Sequence, residues 1–139
     1  MPEGVGYAGS NVVAGTGLSL NYVGEFVYAY SGQVSLTSAG DTIMLSFTTG
    51  KNVIRATVQS GHDTQQMSAN QTLQTKIKFN GIIVYDHLTL FVVTDVQTAD
   101  LGSPIELVIP PYTEVTVIGF TSDTGPIPST YHLIGRLYE

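Results

Sequence analysis

Three histidines and eleven carboxylates are the chain's main stock of acid–base and metal-ligating groups. A mononuclear metal site on a strand needs His-x-His or His-x-Asp/Glu, because only residues i and i+2 share a face. Here His62-Asp63 and Asp86-His87 are adjacent pairs that diverge on a strand, and His132 stands alone. This spacing predicts no metal site. His62 falls in a connection and is expected in solvent. Asp86 has no second carboxylate placed to share a proton with it, so no acid–base pair is predicted. Gly-x-Ser-x-Gly, P-loop and His-Glu-x-x-His runs are all missing from the sequence. There is no cysteine, which excludes disulfides, thiolate metal sites and a Cys nucleophile. The expectation is a protein that is not an enzyme, with no catalytic residues and no cofactor.

The partners are bounded by charge. The formal charge is −6, and the only basic residues are Lys51, Arg55, Lys76, Lys78 and Arg136. Nucleic-acid binding rests on clustered Lys and Arg that neutralise phosphates. Two lysines on one strand face do not make such a cluster, so nucleic acid is not expected as a partner. No run of about 18 apolar residues occurs, so no membrane-spanning helix is predicted. Met1 to Ser10 hold no Lys or Arg and no continuous apolar stretch, which predicts no secretory signal. Only 12% of residues are charged, and neutral polar groups dominate the remainder of the polar set, a composition that suits β-rich extracellular or virion surfaces.

The elements that must position these groups are strands. Ile43, Leu45 and Phe47 alternate with Thr42, Met44 and Ser46; Leu73, Ile77 and Phe79 alternate with polar neighbours. Successive strand side chains point to opposite faces, so the pattern marks strands with one face on a core. Eight such runs in 139 residues predict a single all-β domain, an eight-stranded antiparallel β-sandwich of jelly-roll type, over residues 25–139. A partly closed barrel is the competing architecture. Phe26 to Leu36 reads as one strand bulged at Gly32, with Phe26, Tyr28, Tyr30, Val34 and Leu36 facing the core; a hairpin at Ser31-Gly32 is the other reading. Asn80-Gly81 predicts a two-residue hairpin turn that pairs Phe79 with Ile82 and Ile77 with Val84. In that register Asp86 faces the core opposite Thr75. Ile83, Tyr85, Phe91 and Val93 lie on the face away from the core. Leu88 to Val93 is apolar on both sides and reads as a central strand. Ile105, Leu107 and Ile109 face inward, and Pro110-Pro111 ends that strand. The connection 61–71 is the richest in functional groups.

Residues 1–24 are different. Six glycines interrupt Val5, Tyr7, Val12, Val13, Leu18, Leu20, Tyr22 and Val23, so no one face collects the apolar side chains. Such a segment gains order by lying along a surface, its own or a neighbour's. It is read as an extended N-terminal arm, with Tyr7 and Tyr22 as anchors. Tyr7, Tyr22, Ile83 and Tyr85 are the expected partner contacts.

Gly119-Phe120-Thr121-Ser122-Asp123-Thr124-Gly125 is similar to the glycine-rich tail of trimeric dUTPase-type hydrolases, but that family's Gly-Arg-Ser-Ser and its Asp- and Tyr-bearing motif have no counterpart. A second resemblance covers more of the chain. Ser103-Pro104-Ile105-Glu106-Leu107-Val108-Ile109-Pro110-Pro111-Tyr112-Thr113-Glu114-Val115 reads strand, proline break, strand, and the chain closes on Gly135-Arg136-Leu137-Tyr138-Glu139. With the arm and the Cys-free jelly roll, this resembles the decoration or head-associated structural proteins of tailed phages. The resemblance implies a homotrimer in the virion that stabilises a capsid through contacts with itself and with a major capsid protein. The rival reading is a carbohydrate- or receptor-binding jelly roll of fibre-tip or lectin-like type. For that role Tyr28 and Tyr30 are the available stacking groups, although the strand pattern places them in the core.

Overall fold

The computed structural model describes residues 18–63, 67–68, 70–90 and 104–139. These residues form ten strands and no helix: β1 (Asn21–Val23), β2 (Phe26–Tyr30), β3 (Val34–Leu36), β4 (Thr42–Thr48), β5 (Val53–His62), β6 (Thr72–Phe79), β7 (Ile82–Leu90), β8 (Ile105–Ile109), β9 (Glu114–Thr121) and β10 (Ile127–Tyr138). One sheet runs β1-β2-β10-β5-β8, with β3 continuing β2 along the same side of β10. The other runs β4-β9-β6-β7. All pairings are antiparallel. With β2 and β3 taken as one interrupted strand and β1 as an addition at its edge, the two sheets hold the eight strands of a jelly roll. Residues 37–41 carry β3 into β4, so those two flanks of the sandwich lie together and β7 and β8 share the opposite flank.

The core is built from the inward faces of both sheets: Val27, Ala29 and Leu36, Ile54 and Val58, Leu45 and Phe47, Ile77, Val115 and Val117, Tyr131 and Leu133 are all buried. Burial of these side chains is the main favourable term in folding the domain. Val34, Phe79, Tyr85, Ile105 and Leu107 pack around its rim.

Three bulges reset which face each strand presents. Tyr30 pairs with His132 and Val34 with Ser129, so the β2–β3 side uses one residue more than β10 across the same interval. The extra residue lies in Ser31-Gly32-Gln33, where Gly32 takes φ +68°, a conformation open to glycine. The bulged strand is therefore as expected, but its parity changes there. Val27 and Ala29 face the core, whereas Phe26 and Tyr30 are exposed and Tyr28 half-buried on the outer face. The expectation that Tyr28 and Tyr30 are core residues is overturned.

In β4 the register slips between Ile43 and Leu45, so Met44 is buried and Ile43 turns out to solvent. In β7 it slips beside the hairpin. Phe79 pairs with Ile82 as expected, through Asn80 at φ 52° and Gly81 at φ 83°. Ile77, however, pairs with Tyr85 and not with Val84. That shift carries Tyr85 to the core rim and Asp86 outward opposite Lys76.

Two further expectations change. Among the described residues β7 is the edge of its sheet and not a central strand. Residues 21–23 of the glycine-rich stretch 1–24 form β1, and Leu20 packs against the core. Residues 1–17, with Tyr7, lie outside the described residues, as do Phe91 and Val93.

Candidate binding surfaces

Polar chemistry in the interior is the first place to look for a site. His62, at the end of β5, is not in solvent: its Nδ1 lies 2.6 Å from Ser129 Oγ, and its ring stands edge-on to Tyr131 at 5.7 Å. The Ser129 hydroxyl donates to the Ile127 carbonyl, which leaves its lone pairs to accept from the His62 Nδ1–H tautomer. Burial pushes the His62 pKa down to about 4. A serine–histidine contact is the beginning of a nucleophilic pair, but Ser129 is 1% exposed and its proton is committed to a backbone carbonyl. The pair pins β5 to β10.

The neighbouring Tyr131 hydroxyl shares a 2.7 Å hydrogen bond with Thr75 and crosses between the two sheets. Burial raises its pKa to about 12, partly offset by the Thr75 bond. Asp123, 1% exposed, accepts hydrogen bonds from the amides of Ser68 and Gly125, so the described part of the 61–71 connection is stapled to the turn before β10. Among the described residues, no three His, Asp or Glu side chains gather at one point. Asp86 accepts a 2.8 Å bond from Gln74 Nε2 on the surface, and it stands opposite Lys76 and not, as expected, in the core opposite Thr75.

The surfaces carry the more unusual features. Along β7, Ile82, Ile83, Val84, Leu88 and Leu90 are all exposed, and the strand has β6 on one side and no partner on the other among the described residues. On the opposite flank β1 is also an edge among the described residues, with Leu18, Tyr22 and Val23 exposed. Of the expected contact residues, Ile83 is 49% and Tyr22 51% exposed on these two edges. Tyr85 is partly buried and packs on the core rim. The sequence placed Ile83 correctly because the Asn-Gly turn fixes its register; it misplaced Tyr85 because the bulge at Val84, just before it, carries no residue signature.

The second surface, missed from sequence, is the outer face of the β1-β2-β10-β5-β8 sheet. Tyr28 and Tyr30 stand with ring centroids 5.4 Å apart, and Tyr30 meets His132 edge-on at 5.9 Å. Tyr30, Thr130, His132 and Ile134 line a depression of about 290 Å³. Ile134 also borders a larger one of about 410 Å³, whose walls include Phe26, Arg55, Glu106, Arg136 and Tyr138. The one sequence cue to this face was the size contrast in β2, where large aromatics alternate with Val27 and Ala29.

No family model and no curated protein matches the chain. Among solved structures, the dimeric latent form of PorU from Porphyromonas gingivalis aligns at 13% identity with a TM-score of 0.45, over 76% of this chain and 11% of that one.

Proposed function

We propose that this chain is a non-enzymatic structural protein that works by assembling with copies of itself. In its fuller form the reading is a decoration protein of a tailed-phage capsid, with the major capsid protein as its second partner. The observation that carries it is the β7 edge. Five exposed aliphatic side chains sit on a strand whose outer amides and carbonyls have no ladder partner among the described residues. Long apolar edges are what soluble proteins normally blunt with charge, proline or a cover, and one left open favours pairing with another chain.

The geometry also favours a ring over a two-fold dimer. Pairing β7 with its own copy about the strand's midpoint would set Asp86 against Asp86, a like-charge contact that weakens a sheet. The second apolar edge, β1, lies on the other flank, so a head-to-tail contact of β7 with the β1 flank of the next copy can close on itself. A cyclic trimer is the expected form. Sedimentation at tens of micromolar protein should give the trimer mass. Leu88→Lys should shift it to monomer while leaving the circular dichroism spectrum unchanged. A wild-type monomer under those conditions would overturn the reading.

A further inference from the structure

Two of the five cations of this acidic chain lie directly opposite each other: Arg55 on β5 and Arg136 on β10 are cross-strand partners on the outer face. Like charges so placed destabilise a sheet unless something answers them. Glu25 answers Arg136 across 3.1 Å, an exposed pair of little net worth in water and open to exchange. Arg55 is exposed and belongs to no ion pair among the described residues. Both arginines border the 410 Å³ depression. The Arg136 guanidinium stands 5.5 Å from the centre of the Phe26 ring, a stacking contact that restrains its plane.

We propose that this face binds an acidic polysaccharide. Arg55 and Arg136 grip an anionic group of one sugar, and the aromatic surface at Tyr30 and His132 supports sugars further along the chain. Guanidinium forks match the paired oxygens of a carboxylate or a sulfate. Tyr and His rings offer an apolar face for the C–H side of a pyranose and a polar tip for its hydroxyls. His132 and Arg136 are four residues apart on β10, about 13 Å at the usual rise of a strand. One sugar does not cover that distance, whereas an oligomer does. Glu106, on the wall of the same depression, is an acceptor for sugar hydroxyls. Aromatics beside arginine also suit single-stranded nucleic acid, but two guanidinium groups on a chain of charge −6 do not track a phosphate backbone.

Affinity electrophoresis of the full chain through gels containing polygalacturonate, dextran sulfate or neutral dextran tests the proposal. One or both acidic polymers should retard the protein: the first reports carboxylate recognition and the second sulfate. Arg55→Gln and Arg136→Gln should each weaken retardation about tenfold, the scale of a lost charged hydrogen bond. Tyr30→Ala, at the far end of the face, should weaken it as well. The β7 variant Leu88→Lys keeps one intact face per chain and should still be retarded by the same acidic polymer, more weakly where the trimer binds through several faces at once, which separates this surface from self-assembly. Near-ultraviolet circular dichroism checks that each variant is folded. The proposal is overturned if neither acidic polymer retards the protein, or if neutral dextran does so equally. Indifference to both arginine substitutions, or preferential capture by single-stranded oligonucleotide, would overturn it too.

Discussion

His62 is a neutral histidine held where a charged one would lose its solvent. Its ordinary pKa is 6.5 and burial lowers it to about 4 in the fold. Between those values the unfolded chain takes up a proton that the folded chain refuses, so stability must rise with pH across the window. The loss on acidification reaches at most about 3 kcal/mol by the foot of that window, from the size of the shift. Urea unfolding measured between about pH 7 and pH 4 should show this slope, and His62→Gln should flatten it. Tyr131 is the alkaline counterpart: its pKa, raised from 10 to about 12, makes stability fall as pH climbs through that interval. Neither role was legible in the sequence. His62 followed Gly61 at the mouth of a polar connection and read as solvated. Ser129, the residue that fixes it, is remote in sequence and adjacent only because β5 and β10 pair.

At the scale of the element, the hairpin turn was legible, and of the three bulges only the one at Gly32 was. Asn80 and Gly81 both take positive φ, which few dipeptides tolerate, so the hairpin and its closing pair Phe79–Ile82 could be read from two letters. A side chain added at Gly81 meets open space, so the cost of Gly81→Val is conformational and not steric contact with neighbours. We expect a loss on the order of 1 kcal/mol or more in chemical denaturation, with Gly81→Asn closer to the wild type. The slips at Met44 and Val84 leave no comparable mark, and the glycine that marks the bulge at Gly32 does not reveal that the two faces exchange there. Each adds one residue to one side of a ladder, and one residue is enough to exchange the inner and outer faces of the strand beyond it. In β2 both faces are apolar, so alternation alone did not decide between them. Volume did: the interior beside Tyr131 and Leu133 takes Val27 and Ala29, and the rings go outside.

At the scale of the whole molecule, the sandwich and its eight main strands were legible because eight separate apolar runs each needed a partner sheet, whereas β1 lay in the stretch read as an arm. What the runs do not encode is their order. Leu88 to Val93 reads as a central strand because it is apolar on both sides, yet β7 lies at the edge. Composition reports that a surface will be covered and is silent on whether its own chain or another covers it. The N-terminal boundary is open to direct measurement. Deleting residues 2–17 should leave the thermal transition nearly unchanged, since β1 and Leu20 remain to cover β2. Deletion through Val23 removes both and should lower the midpoint by several degrees, as expected for a domain of this size losing about 1–2 kcal/mol. Equal midpoints for the two truncations would show that β1 adds nothing to the sandwich.

The bulge at Gly32 also separates two kinds of change. Upstream of it β2 puts Val27 and Ala29 into the core and its aromatics outside; downstream, with the parity reset, β3 puts Leu36 into the same core. Substitutions at Phe26, Tyr28 and Tyr30 therefore alter what the molecule meets without altering what holds it together. On the binding proposed for this face, changes along that one strand would alter what is bound while the core residues stay fixed.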